Sequence, residues 1–302
     1  MVVPAHAKVN LSLDVLGRRS DGYHDIRSVM AKLCLHDRVH LYRRDTGITL
    51  DCSSQSIPSD HRNLAHRAAL RFQQETGIGL GVHMVIEKHI PIAAGLAGGS
   101  ADAAAVLHGL NQLWAAGLSV SELARLGASI GSDVPFCVKG TCALVTGRGE
   151  LVEEIPWAPI GWVVLARPAG LAVSTSEAYA ELDRRTGGQA GSFTPRVLQA
   201  LSRGCPHTLA ASLGNGFEEA VLTRWPGIAD LKQALLDAGA LGACLSGSGP
   251  VVLALASVAE QGQAIAGCLA RRPGTEVWLT RFLGGGGEEE DEGRCGNTGR
   301  QV

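Results

Sequence analysis

Two rhythms of apolar residues alternate along this 302-residue chain, and together they predict an α+β fold. Val82, Met84 and Ile86 alternate with His83 and Glu87, the period of two that puts every second side chain on one face of a strand. Leu33, Leu35, Val39 and Leu41 likewise read as extended chain, so His36 and His40 fall on a strand rather than one turn apart on a helix. The rhythm then changes. Val106, Leu107, Leu110, Leu113 and Trp114 follow the 3.6-residue period of a buried helix face.

Punctuation agrees with these rhythms. A helix over 63–75 puts Leu64, Ala68 and Phe72 on one face and stops at Gly77, which can take the left-handed backbone of a C-terminal cap. Ser119 and Glu122 have capping-box spacing, with Leu118 placed to staple onto Leu123, so a helix is predicted over 120–130. Ser257 and Glu260 repeat that spacing. Pro226 suits a first helical position, Leu231, Leu235 and Leu236 continue that helix, and Gly239 ends it. Residues 156–161 separate a run of strands from a new one that begins Trp162, Val163, Val164, Leu165. The predicted organisation is a first domain over 1–158, a second over 159–283 with helices covering one face of a sheet, and a disordered Gly/acidic tail over 284–302.

Hydrophobic residues at 45% and charged ones at 19% suffice for a sizeable core. No early segment joins a basic start, an apolar stretch and a small-residue cleavage site, and no apolar run approaches membrane-spanning length. The expected location is therefore the cytoplasm, with no membrane partner. The eight cysteines never form a C-x-x-C pair, which predicts reduced, mostly buried thiols. Five acids and two arginines after residue 287 carry a net −3, so with −2 for the whole chain the remainder carries +1. A body this close to neutral argues against a nucleic-acid partner.

The densest chemical signal is Pro91 Ile92 Ala93 Ala94 Gly95 Leu96 Ala97 Gly98 Gly99 Ser100 Ala101, which joins the strand at 82–87 to the following helix. Glycines let backbone N–H groups converge with no side chain in the way, and the helix start adds about half a positive charge. A phosphate is the natural occupant, although a tight turn with no ligand uses the same residues. The order matches neither G-x-x-x-x-G-K-[ST] nor G-x-G-x-x-G.

Three other segments carry reactive or polar side chains. Lys8 and Asn10, two apart on an early strand, share a face, a position that also suits a solvated edge charge. Asp133, in Gly131 Ser132 Asp133 Val134 Pro135 Phe136, follows a helix end and precedes a proline expected to keep Val134 extended; aspartate there also simply shapes turns. Leu245 Ser246 Gly247 Ser248 Gly249 Pro250 is a small-residue turn, suited to close backbone approach or to plain connection.

In this order, the lysine strand, the glycine loop entering a helix, G-S-D-V-P and S-G-S-G-P resemble the GHMP small-molecule kinases over roughly residues 4–283. Arg19 Ser20 Asp21 Gly22 Tyr23 His24 narrows the resemblance to the branch that phosphorylates the 2-hydroxyl of a methylerythritol carrying a cytidine diphosphate group, in isoprenoid precursor synthesis. The resemblance implies a two-domain fold, the N-terminal domain like the second domain of ribosomal protein S5 and the C-terminal one ferredoxin-like, with the active site between them. It implies ATP as the phosphoryl donor, with Mg2+ expected.

By the same match, Asp133 accepts the proton of the acceptor hydroxyl and Lys8 orients that hydroxyl. Pro91, Gly95, Leu96, Ala97, Gly98, Gly99, Ser100 and Ala101 are implied to hold the ATP, Lys88 to lie near it, and Asn63 to contact the adenine. On the acceptor side the implied residues are Asn10, Thr175, Gly247 and Ser248, with Tyr23 stacked on the cytosine, His24 reading its hydrogen-bonding edge and Tyr179 covering the opposite face. The alternative for Tyr179 is a helix residue packed into the core. The metal ligands are unassigned, Asp102 being as well explained as a first-turn helix charge.

The chain also departs from the pattern. Ala97 stands where many relatives have glycine, and the turn is permitted there if its φ is negative. Ser176 replaces a proline, and Arg148 stands near the cytidine where some relatives are apolar, with no role assigned. A homoserine- or mevalonate-type kinase would share the glycine loop but not the segment ending Tyr23 His24. An RNA- or protein-binding module is the rival of another class, since a fold does not fix a function, and it would not need Lys8 or Asp133.

Overall fold

The computed structural model describes residues 1–284, and the expected tail beyond residue 284 lies outside the described residues. Two long strands, β1 (Val2–Arg18) and β2 (His24–Arg44), organise the first half as an antiparallel pair. They are followed by β3 (Ile48–Cys52), α1 (Leu64–Thr76), β4 (Gly81–Glu87), α2 (Gly98–Leu113), α3 (Val120–Ala128), α4 (Val134–Lys139), β5 (Cys142–Gly147) and β6 (Leu151–Glu154). The second half begins with β7 (Trp162–Pro168), α5 (Thr175–Thr186), α6 (Thr194–Arg203), α7 (Pro206–Ser212), β8 (Gly214–Asn215) and α8 (Glu218–Arg224). It ends with α9 (Pro226–Asp237), β9 (Gly242–Leu245), β10 (Val252–Ala256), α10 (Ala259–Ala270) and β11 (Thr275–Arg281).

The first sheet runs β3-β4-β2-β1-β8, and β2 is long enough to pair also with β5, which carries β6. The second sheet is antiparallel in the order β11-β7-β10-β9, the strand order of a ferredoxin-like unit, and α9 and α10 pack against it. β8 belongs to the second half of the chain yet pairs with β1, Ser12 against Gly214 and Leu13 against Asn215, so the two halves share a sheet edge.

Alternation along β1 explains how that seam can be polar and buried at once. Val9 and Leu11 point into the first core cluster with Phe72, Leu107 and Phe136, while Lys8, Asn10, Ser12 and Asp14 on the other face are buried as well. Buried polar groups persist only when paired, and these are. Ser12 Oγ lies 2.9 Å from Thr194 Oγ1, and Asp14 accepts from the N–H groups of Phe193 and Thr194, so the start of α6 is pinned to β1.

Local chemistry accounts for most element boundaries. Asn63 caps α1, Gly77 ends it at φ 69°, and the Ser119–Glu122 capping box opens α3 as its spacing predicts. α9 starts at Pro226, and Gly239 follows it at φ 96°.

Four expectations are corrected. Ser257 and Glu260 form no capping box: α10 starts after Val258, and the Ser257 N–H and hydroxyl both bond Gln261 Oε1. Val134 is helical rather than extended, because Pro135 falls in the first turn of α4, where its missing N–H forfeits no helical bond. Ala97 has φ 56°, in the left-handed region rather than at negative φ, so the loop carries a conformation that an alanine adopts at a cost of about 1–2 kcal/mol. Cys34 is disulfide-bonded rather than reduced, whereas Cys52, Cys137, Cys142, Cys205, Cys244 and Cys268 are free thiols. Among the described residues no helix is long and apolar enough to cross a membrane.

Candidate active site

Between the glycine loop, β1 and α5 the molecule opens a cleft of about 950 Å3. Every residue that the resemblance assigned to a site lines it except Ala101, which lies one step inside α2, is buried, and gives its N–H to Ala97 O as an ordinary helical residue.

The floor is the polar face of β1. Lys8 Nζ donates to Asn10 Oδ1 at 2.8 Å, Asn10 Nδ2 donates to Ser28 Oγ at 2.8 Å, and the Ser28 hydroxyl donates to Ser12 O. Register shifts between His6 and Lys8 and between Asn10 and Ser12 flank this pair. Bulges of this kind re-aim side chains. Asp133 approaches from across the cleft, its Oδ2 lying 3.7 Å from Lys8 Nζ. Although it stands at the N-cap of α4, its side chain makes no capping bond and remains 32% exposed, so the carboxylate is available to the cleft.

The glycine loop forms one wall. Gly98 begins α2, and the first N–H groups of a helix have no partners within it. Ser246 Oγ donates to Gly95 O, a Cβ on Gly95 would collide with Ser246 O, and one on Gly247 would lie 3.2 Å from Gly95 O. The two glycine turns therefore meet backbone to backbone. Asn215 holds the second turn from behind, donating to Leu245 O and Gly247 O at 2.8 Å each. No sequence pattern singles out Asn215, because its partners are carbonyls 30 and 32 residues away.

Lys88 and Asn63 line the cleft with their polar groups already engaged. Lys88 Nζ donates to Asp37 and, at 2.7 Å, to Asp102 Oδ2. Burial works against the Lys88 charge, but Asp102 and Asp37 hold its pKa above the usual lysine value. Burial raises Asp102 to about 7 against the pull of Lys88, and its Oδ1 is buried without a partner. Asn63 accepts from Ala65 N and donates to Pro58 O, so it caps α1 and fixes the preceding loop.

At the other end of the cleft sits a cluster of rings. His24 is buried and stacked on Tyr179, with centroids 4.4 Å apart and planes 19° from parallel, and its Nε2 lies 2.7 Å from Asp183 Oδ1. Tyr179 meets Phe217 edge-on, and burial raises its phenol pKa to about 12. Tyr179 packs on the second core cluster and also lines the cleft. Tyr23 is exposed, with the Arg148 guanidinium 5.0 Å above its ring. Thr175 Oγ1 and Ser248 Oγ approach within 3.2 Å, joining α5 to the second glycine turn.

Comparison with known proteins bears on this geometry. Residues 63–141 match the model of the GHMP kinases N terminal domain and residues 197–274 that of the GHMP kinases C terminal domain. A 4-diphosphocytidyl-2-C-methyl-D-erythritol kinase of Synechococcus sp. (strain JA-3-3Ab) is 47% identical over 286 residues, covering 92% of each chain. The protein of that name from Brevibacillus brevis is 45% identical, covering 93% of this chain and 96% of its own. The crystal structure of a 4-(cytidine 5'-diphospho)-2C-methyl-D-erythritol kinase superposes with a TM-score of 0.79 at 32% identity, over 94% of this chain and all of that one. Homoserine kinase from Cytophaga hutchinsonii shares the fold at a TM-score of 0.69 and 22% identity, over 92% of this chain and 96% of that one.

Proposed function

This chain belongs to the GHMP kinase family, and from that premise we propose that it transfers the γ-phosphoryl group of ATP to the 2-hydroxyl of 4-diphosphocytidyl-2-C-methyl-D-erythritol, releasing ADP and the 2-phosphate. The observation that carries this reading is the convergence of Lys8 and Asp133 at 3.7 Å in one cleft with a glycine-built wall suited to phosphates and a ring cluster suited to a base. Phosphoryl transfer asks a protein for positioning and charge neutralisation more than for covalent chemistry.

Asp133 takes the proton of the 2-hydroxyl, its carboxylate being committed neither to a cap nor to a close ion pair. Lys8, fixed by Asn10, holds the hydroxyl oxygen against it. The N–H groups of the first turn of α2 and the glycines around them receive the nucleotide phosphates. Tyr23 offers its ring to the cytosine and His24 its hydrogen-bonding edge. Mg2+ bound with the nucleotide supplies further neutralisation of phosphate charge, and the Ser100 hydroxyl with the unpartnered Asp102 Oδ1 are the groups that would hold it. Residues 1–158 then carry the chemistry, residues 159–283 complete the acceptor pocket through Thr175, Tyr179, Gly247 and Ser248, and the enzyme works in the cytoplasm.

ADP release from the purified chain with Mg-ATP, tested against the cytidyl substrate, homoserine and mevalonate, decides the matter. Turnover confined to the cytidyl substrate is the expected result. Turnover only with another acceptor would reassign the substrate, and none with any would remove the kinase reading.

A further inference from the structure

α5 grips the His24 ring in two ways from one face. Its ends are fixed, by the Ser174–Glu177 capping box at the start and by Gly187 at φ 68° after the last turn. Tyr179 and Asp183, four residues apart, therefore project from the same side. Tyr179 stacks on the plane of the His24 imidazole, and Asp183 Oδ1 meets its Nε2 at 2.7 Å. The other oxygen, Asp183 Oδ2, lies 4.0 Å from Arg18 Nη1.

The space around this pair is reserved for it. A Cβ on Gly188 would lie 2.9 Å from Asp183 Oδ1 and 3.3 Å from His24 Nε2, and Gly188 has φ +86°, so a side chain there would be strained and would press on the bond. A carboxylate can only accept, so the proton of a neutral His24 ring sits on Nε2 and Nδ1 is left as an acceptor. Nδ1 has no partner among the described residues, and His24 lines the cleft.

Resting on the function proposed above, we infer that Asp183 is a positioning residue that fixes the tautomer of His24, and that this makes the pocket select a pyrimidine whose exocyclic group is an amine. An amino N–H of cytosine finds the Nδ1 lone pair. Uracil, with a carbonyl at the same place, sets two lone pairs against each other, and leaving a buried acceptor unpaired carries a penalty larger than the gain from making the bond.

The test compares the wild-type chain with Asp183→Ala and Asp183→Asn, using the cytidyl substrate and its uridyl analogue, and reads the His24 ring nitrogens by 15N NMR. Wild type is expected to show an unprotonated Nδ1 and a strong preference for the cytidyl substrate. Asp183→Ala should lose the single tautomer and cut that preference by roughly tenfold to a hundredfold, mostly through KM for the cytidyl substrate, with kcat little changed. Asp183→Asn, whose amide oxygen still accepts from Nε2, should retain most of both. Unaltered preference and an unaltered tautomer in Asp183→Ala would overturn the inference, as would equal losses on both substrates, the mark of a merely structural role. Wild-type inactivity on both substrates would instead overturn the function on which the inference rests, and the two failures are thereby distinguishable.

Discussion

The cleft contains two lysine–aspartate arrangements of similar composition and opposite design. Lys8 faces Asp133 at 3.7 Å, beyond hydrogen-bond reach, and the aspartate is 32% exposed and bound to no other group among the described residues. Lys88 is clamped between Asp37 and Asp102, with all three side chains at most 6% exposed. Asp37 is further engaged by the N–H groups of His89 and Ile90. One arrangement leaves its groups able to take up a substrate; the other commits Lys88, Asp37 and one oxygen of Asp102 to holding the strand end against α2. A charge on a cleft wall therefore says little until its partners are counted, and Lys88, placed near the nucleotide by resemblance, reads in the structure first as an anchor.

The sharpest way to break that contrast is Asp133→Asn. The amide keeps the shape of the side chain but cannot take the hydroxyl proton. We expect kcat to fall by about a hundredfold to ten-thousandfold, with KM for both substrates and the melting temperature little changed. Steady-state kinetics beside calorimetry reads this, and a large drop in stability would mean that Asp133 is a structural residue after all.

Lys88→Met should do the reverse. Removing the cation leaves two buried carboxylates facing each other, and breaking a buried pair by deleting one partner typically destabilises by about 3–5 kcal/mol. Asp102 can escape by taking a proton, so the loss belongs at the lower end of that range near neutral pH and grows above it. Denaturant midpoints for the two chains measure it; unchanged stability with weakened ATP binding would return Lys88 to the role that the resemblance gave it.

What the sequence disclosed divides along similar lines. Periodicity and caps located α1, α2, α3 and α9 with β2, β4 and the start of β7 because those signals are local: Asn63, Gly77 and the Ser119–Glu122 box act within a few residues of themselves. Lys8, Asn10, Asp133 and the glycine loop were legible as a set because their spacing is a family pattern. Asp37, Asp183 and Asn215 were not, since each acts on groups 30 to 159 residues away in the chain and none stands in a motif. Asp183 left a faint trace, four residues after Tyr179 on one helix face. The positive φ of Ala97 was not legible either, because the condition of a negative φ rested on the residue type alone, whereas the turn itself sets the backbone at φ 56°.

The finest test of the anchor is its response to pH. Burial raises the Asp102 pKa in the folded chain to about 7, against about 4 in an unfolded one. Between those values the folded state holds a proton that the unfolded state has lost, so the contribution of this group is fully present below pH 4 and is lost as pH rises through 7. Asp102→Asn cannot titrate, yet its side-chain oxygen can still accept from Lys88. Relative to wild type, the variant should therefore gain stability as the pH is raised from 5 to 8. Denaturation midpoints at the two pH values provide the comparison. Parallel pH dependence in the two chains would mean that Asp102 stays ionised throughout, with Lys88 and not a proton balancing its charge, and would make the anchor a plain ion triad.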